Sequence, residues 1–389
     1  YLKDVIFVNT CAVTQEATRS SKKYVRQLKR KFPNNQMVVT GCDAQIDPEK
    51  YESMSEVDVI IGNSGKLNEK IWEKICTNKN KKQKFLGEFS DIENLPSKVI
   101  PNFTNRSRAY LEIQNGCDHS CTFCIIPRGR GKSRSTSSEK ILDKVKNFIE
   151  KGFKEIVLTG VDITAWGKDI EERESLGELV ELILLKNPSL DRLRLSSLDI
   201  SEIDKKLISL FETESRLMPH LHLSLQSGNN MILKRMKRRH TRENTIDLCH
   251  KLKAARPELT FGADLIAGFP TENQKMFNDT LNLIKECDIT WLHIFPYSIR
   301  QGTPASRMPQ VDRGDILKRA ESLRKIADDR KKKHFANHIK KTLSVLMESE
   351  FKGRSEDFTE IKVNNPLIPG KIYSLTVDSF DKETLIASS

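Results

Sequence analysis

Between residues 110 and 295 the chain repeats one unit: a short apolar run, a polar turn, then a helical pattern. Residues 110–113, 156–159, 193–196, 220–225, 260–267 and 291–295 read as strands, and 138–150 and 243–255 as two of the intervening helices. Strands separated by helices cannot pair as hairpins and must lie parallel, so six such units predict a partial (β/α)6 barrel. On barrels of this kind chemistry sits on the loops after the strands. Those positions hold Gly160-Val161-Asp162, Ser196-Ser197-Leu198-Asp199, Gln226-Ser227-Gly228 and Asp264, all plausible lining for one cavity.

The flanking regions differ. Residues 5–8, 37–40 and 57–61 are apolar runs that end in Asn9-Thr10-Cys11, Gly41-Cys42 and Gly62-Asn63, with helical segments between them, including a basic one over 18–31. This predicts an N-terminal parallel α/β layer, whose ligands would lie beyond the carboxyl ends of its strands. Cys11 and Cys42 both fall there and can be neighbours although about thirty residues apart; two small buried residues is the alternative. The polar stretch 77–84 and the segment 94–105, with Pro96 and Pro101, read as a connection. After a charged helix from about 312 to 341, the alternating runs 343–346, 358–363, 371–377 and 384–387 predict a small β-barrel. The expected domains are 1–98, 99–327 and 328–389.

A net charge of +12 over 389 residues points to a polyanionic partner. Basic residues crowd three places: Arg19, Lys22, Lys23, Arg26, Lys29, Arg30 and Lys31; Lys234, Arg235, Lys237, Arg238, Arg239 and Arg242; and Arg330 through Lys333. Each alone reads as a solvated helix face. No apolar run approaches the roughly 18 residues that span a bilayer. Eight cysteines without a disulfide-type framework suit a reducing, cytoplasmic setting.

Cys117, Cys121 and Cys124 form a C-x3-C-x2-C triplet directly after the first barrel strand. Three thiolates leave one iron of a four-iron cubane without a protein ligand, whereas clusters that only carry electrons fill all four positions. Such a cluster binds something else. Zinc is the alternative, but it wants a fourth protein ligand and usually paired C-x2-C knuckles. His119 sits inside the triplet and is expected to shape the loop. Cys249 and Cys287 fall in helical patterns and read as buried thiols, and His220 and His222 as ordinary barrel residues.

The motifs Val8-Asn9-Thr10-Cys11-Ala12-Val13-Thr14, Thr40-Gly41-Cys42-Asp43-Ala44-Gln45, the loop 116–134, Leu223 through Gly228, Gly268-Phe269-Pro270-Thr271-Glu272 and Phe295-Pro296-Tyr297-Ser298 resemble the radical S-adenosylmethionine (SAM) methylthiotransferases along the whole chain. Ile125 through Gly131, with Ser133-Arg134, is most similar to the group acting on threonylcarbamoyladenosine of tRNA. The resemblance implies an N-terminal domain with an auxiliary 4Fe-4S cluster, a central radical SAM barrel and a C-terminal TRAM β-barrel for RNA. Residues 353–358 resemble the TRAM segment that opens one of its strands.

What the family implies for this chain follows residue by residue. Cys117, Cys121 and Cys124 hold the 4Fe-4S cluster whose open iron binds SAM; Cys11 and Cys42 are two of the three auxiliary-cluster ligands. The third would precede Tyr1, as in a shortened chain or a degenerate protein, and Cys76, at the end of a helical pattern, is no substitute. Gly160, Ser197, Gln226 and Asp264 are candidates for holding SAM; turn or capping roles are the alternative. The implied reaction puts a methylthio group on C2 of the modified adenosine beside the anticodon. It would need the tRNA anticodon stem-loop, an electron donor such as flavodoxin or ferredoxin, and a sulfur donor. Methylthiolation of a ribosomal protein or another modified adenosine, and an RNA-binding relic, remain the alternatives.

Overall fold

The computed structural model describes residues 4–77, 82–87, 107–171 and 173–388. The chain forms two compact units. One gathers Tyr1–Pro96, Asn115–Arg134 and Ser298–Arg307; the other holds Ser97–Gln114, Ser135–Tyr297 and Met308–Ser389.

In the first unit the strands Val5–Thr10, Gln36–Gly41, Val59–Ile61 and Gln83–Phe85 lie side by side in chain order, all parallel. Gln36–Gly41 is buried along its whole length, which is why it reads as an unbroken apolar run rather than an alternation. The helix Gln15–Lys31 starts where the Thr14 hydroxyl accepts the Ala17 N–H at 3.0 Å, and it places Val25 in a core with Met37, Val39 and Tyr51. Gln83–Phe85 corrects the expectation of a connection over 77–84. Its polar sequence carries no strand signal, and its extended form comes from pairing with Val59–Ile61 and from Lys84, 2.7 Å from Glu52. The segment 94–105 and the border at 98/99 lie outside the described residues.

The second unit contains all six expected barrel strands: Arg108–Asn115, Glu155–Gly160, Arg192–Leu195, His220–Gln226, Thr260–Ala267 and Ile289–Pro296. They pair in parallel as two sets of three, and the Leu198↔Leu223 and Leu193↔Leu217 bridges join the sets into one curved row. The helices Ser138–Glu150, Leu176–Lys186, Lys205–Thr213, Arg242–Ala255 and Gln274–Glu286 cover the outer face. Ile141, Val145, Leu179, Ile183 and Leu252 pack there against Ile156, Leu158, Leu193, Leu223 and Phe261. Cys249 and Cys287 belong to this core, as expected.

Thr342–Met347, Lys352–Ser355, Glu360–Val363, Ile372–Phe380 and Leu385–Ser388 close into a five-stranded barrel. Lys352–Ser355 is a strand in its own right; Lys352 and Arg354 leave no apolar face to read, and only the resemblance over residues 353–358 pointed to a strand there. The helix Arg313–Ala336 runs unbroken through the border expected at 327/328, and its Phe335 enters the small barrel's core beside Val345, Leu375 and Val377.

The two barrels of this unit meet on a buried charge cluster. Glu155 is fully buried and takes Arg108 Nε at 2.7 Å, Arg194 Nε at 3.0 Å and Arg192 Nη1 at 3.7 Å. The same arginines reach the small barrel: Arg108 bonds Glu348, and Arg192 donates to Ser344 Oγ at 2.7 Å. Phe358 is stacked on His220 at 5.3 Å, with Arg194 and Arg354 over its ring at 4.8 and 4.6 Å. Burial alone would raise the Glu155 pKa, but Arg194, Arg108 and Arg192 outweigh it and hold the group at about 2. Its contribution to stability is therefore complete above its ordinary value of 4.5 and is lost as pH falls toward 2. Glu155→Gln strands the guanidiniums and should cost about 3–5 kcal/mol. Chemical unfolding should show that loss at pH 7, and the gap between variant and wild type should narrow between pH 4.5 and 2.

Candidate metal and cofactor centre

The triplet loop, residues 115–134, is built around a backbone crossing that only glycine permits. Gly116 has φ +78°, and a Cβ there would lie 1.8 Å from the Lys132 carbonyl oxygen. With the strands of the loop this close, Cys117 N–H donates to Gly131 O at 3.1 Å and Ser133 N–H to Asp118 Oδ1 at 3.1 Å. The chain then turns into the short helix Ile126–Arg130, with Pro127 in its first turn. Two sulfurs already accept backbone N–H groups: Cys117 Sγ from His119 and Cys124 Sγ from Ile126, each at 3.4 Å. N–H···S contacts stabilise thiolate charge and tune a cluster bound there. All three cysteines are partly exposed. Three accessible thiols with polarised sulfurs fit a 4Fe-4S cluster with one open iron, and His119 brings both its backbone N–H and a ring nitrogen close to the Cys117 sulfur.

Cys11 and Cys42 stand one residue beyond a paired strand end. The register sets Thr10 opposite Gly41, so the two cysteines leave adjacent parallel strands at the same level. Thr10 fixes this corner, its hydroxyl donating to Thr40 O at 2.7 Å and accepting from Ala44 N–H at 3.0 Å. Gly41 has φ +102°, and a Cβ would sit 2.3 Å from Thr10 O. Cys11 is exposed and accepts the Val13 N–H at 3.4 Å, whereas Cys42 is buried.

Two partners of Cys42 could not be read from the sequence. Arg130 Nε donates to its sulfur at 3.1 Å and Asn63 Nδ2 at 3.4 Å, and the same Asn63 nitrogen holds Gly129 O at 2.6 Å. Arg130 leaves the helix that follows Cys124, so one guanidinium ties the triplet loop to the second thiol pair within the same unit. A guanidinium against sulfur places a cation where a metal-bound thiolate would carry charge. Arg130 lies within the motif that flags the triplet, but its partner is 88 residues away. Cys76 lies exposed in the helix Glu69–Thr77, as its sequence pattern implies.

The four SAM candidates have unequal surroundings. Gly160 ends its strand so close to the neighbouring one that a Cβ would meet Gln114 O at 2.6 Å. Ser197 is exposed just past its strand. Gln226 ends its strand with φ +69°, a left-handed conformation that costs a residue with a side chain about 1 kcal/mol or more and concentrates at working sites. Asp264 is not at a strand end: the strand Thr260–Ala267 has the bounds the sequence predicts, and Asp264 lies inside it. Its carboxylate accepts from His222 and His293.

The basic runs also separate. In the second run Arg235 donates to Thr271 Oγ1 at 2.6 Å, Arg238 pairs with Asp199 at 3.0 Å, Arg239 with Glu202 at 2.8 Å and Arg242 with Glu286 at 2.6 Å. In the third, Arg330 pairs with Asp288 and Lys331 with Glu383 at 3.1 Å. These cations hold the unit together. On the helix Gln15–Lys31, by contrast, Lys23, Arg30 and Lys31 are exposed.

Comparison with known proteins places this geometry. Residues 111–284 match the radical SAM superfamily and residues 2–62 the uncharacterized protein family UPF0004. The threonylcarbamoyladenosine tRNA methylthiotransferase MtaB of Rickettsia prowazekii is 44% identical over 96% of this chain and 87% of its own length. The tRNA-2-methylthio-N(6)-dimethylallyladenosine synthase of Staphylococcus haemolyticus is 34% identical over 90% of this chain and 69% of its own. The radical SAM methyltransferase TsrM of Kitasatospora setae shares the fold at a TM-score of 0.54 and 14% identity, over 79% of this chain and 65% of that one. With the triplet loop, the six-stranded half-barrel and the five-stranded C-terminal barrel in place, the chain belongs to the radical SAM methylthiotransferases.

Proposed function

We propose that this enzyme replaces the C2 hydrogen of N6-threonylcarbamoyladenosine, beside the anticodon of tRNA, with a methylthio group. The observation that carries the reading is the pairing of Thr10 with Gly41. It sets Cys11 and Cys42 past two adjacent strand ends in the same unit as Cys117, Cys121 and Cys124, as a reaction needing two iron-sulfur centres would require. The 44% identity to a protein named for threonylcarbamoyladenosine supports the choice of base.

A 4Fe-4S cluster and SAM, when bound, supply the one-electron chemistry that a non-acidic aromatic C–H bond demands. The chain's own residues do the rest. Cys117, Cys121 and Cys124 would hold the SAM-binding cluster. Gly160, Ser197 and Gln226 are the proposed contacts to SAM, with the Gln226 side chain set by its left-handed backbone. Cys11 and Cys42 contribute two thiolates to the auxiliary 4Fe-4S cluster, with Arg130 balancing charge at Cys42. A reductant such as flavodoxin or ferredoxin and a sulfur donor complete the system, and all of this suits the cytoplasm. Among the described residues no helix is long and apolar enough to cross a membrane.

After anaerobic reconstitution, Cys117→Ala should lower reductive formation of 5′-deoxyadenosine by at least about 100-fold, taking the loss of a ligand or its orienting partner as at least that severe. Cys11→Ala should still form it while methylthiolated nucleoside, followed by mass spectrometry, disappears. Wild-type 5′-deoxyadenosine output from Cys117→Ala would refute the assignment.

Reversing exposed charges should separate binding from folding. Lys23→Glu with Arg30→Glu should weaken tRNA binding and flatten its log–log salt slope by about one unit per lost phosphate contact. Arg238→Gln should instead lower the unfolding midpoint, because it removes the nearer of the two arginines that pair with the buried Asp199. Equal salt slopes for wild type and the double variant would remove the helix Gln15–Lys31 from the RNA surface.

A further inference from the structure

Three side chains on neighbouring barrel strands, one of them the SAM candidate Asp264, form a group in which neither histidine has been given a role. Leu221, Leu223, Ala263, Leu265, Leu292 and Ile294 face outward into the helix-covered core, so His222, Asp264 and His293 share the inner face. The register sets Gly262 opposite His222 and Asp264 opposite His293. Gly262 makes room for the imidazole, since a Cβ there would lie 2.5 Å from His222 Nδ1. Asp264 Oδ1 meets His222 Nε2 at 3.0 Å and His293 Nδ1 at 3.1 Å, with the two rings 4.6 Å apart.

The three differ in access. The side chains of His222 and Asp264 are 10% and 23% exposed, that of His293 63%. One imidazole is therefore fixed at Nδ1 by a carboxylate, itself braced from behind by a second imidazole, while its opposite edge is open. Burial alone would raise the Asp264 pKa, but hydrogen bonds from His222 and His293 hold it at about 2. The same bond to Asp264 pushes the His293 pKa up, which favours a second N–H at Nε2. An imidazolium held rigidly with one N–H presented is a receptor for an anion.

If the base is the one proposed above, its N6 substituent ends in the carboxylate of an amino acid, whereas a dimethylallyl substituent carries no charge. We propose that His293, positioned by Asp264 and His222, reads that carboxylate through its Nε2–H and so selects amino-acid-modified adenosine. Asp264 is then a positioning residue for the substrate rather than a contact to SAM.

The test uses full-length reconstituted enzyme and two anticodon stem-loop RNAs, one with the free threonylcarbamoyl carboxylate and one with its methyl ester. A hydrogen bond between charged groups predicts that wild type prefers the acid by about 10- to 100-fold in kcat/KM and in equilibrium binding. His293→Gln should bring both ratios to within a few-fold of one, chiefly through KM, and Asp264→Asn should move them the same way. Because each ratio compares two RNAs on one protein, a partly unfolded variant does not mimic the result. An unchanged ratio in His293→Gln overturns the role of His293 and leaves the proposed reaction standing. No methylthiolation of either RNA by wild type overturns both. The same two imidazoles and carboxylate could also ligate a divalent ion. One equivalent of non-cluster metal lost in His293→Gln, with no acid preference in wild type, would overturn the proposal in favour of such a site.

Discussion

The placement of the barrel's working end depends on how its other end is closed. Glu155 begins the second barrel strand, Arg108 the first and Arg192 the third, and the small barrel is bonded to these same residues. Three guanidiniums around one fully buried carboxylate would repel one another without it. The cluster therefore holds only if all its members arrive together. Phe358, stacked between His220 and the arginines, closes that end further. With the amino ends of the strands committed to the small barrel, the carboxyl ends remain for chemistry, as in other barrels of parallel strands.

In the first unit the decisive constraint is backbone proximity. Gly41 and Gly116 each sit where any side chain would collide with a carbonyl, and each precedes a cysteine by one residue. The glycines let the chain turn sharply enough to present Cys42 and Cys117 at a strand end and a loop mouth. Arg130 then links the two thiol groups by a single contact. Positive charge beside sulfur would suit the cluster proposed there.

The arginine-rich runs show why charge composition is a weak guide to location. Six neighbouring cations over 234–242 look like an RNA surface, yet four of them bind Thr271, Asp199, Glu202 and Glu286. Their acidic and hydroxyl partners are far away in sequence, so the run could not be resolved before folding. The helix Gln15–Lys31 keeps more of its charge in solvent, where it can help steer a polyanion.

The amino-acid sequence alone determined the parallel architecture and the triplet's chemistry, because both are local. Strand patterns over four to eight residues located all six barrel strands, and the spacing of Cys117, Cys121 and Cys124 sets three thiols in one loop by itself. It also located Cys11 and Cys42 at strand ends, though their side-by-side placement needed the Thr10↔Gly41 register. What only tertiary structure decided are the contacts whose partners are distant in sequence. The polar strand Gln83–Phe85 exists through its pairing with Val59–Ile61, and Lys352–Ser355 through barrel closure. Cys42 gains Arg130 and Asn63, and His222, Asp264 and His293 become one group only when three strands align. No local pattern encodes such meetings, since a side chain's partner is set by strand register and packing rather than by its neighbours in the chain.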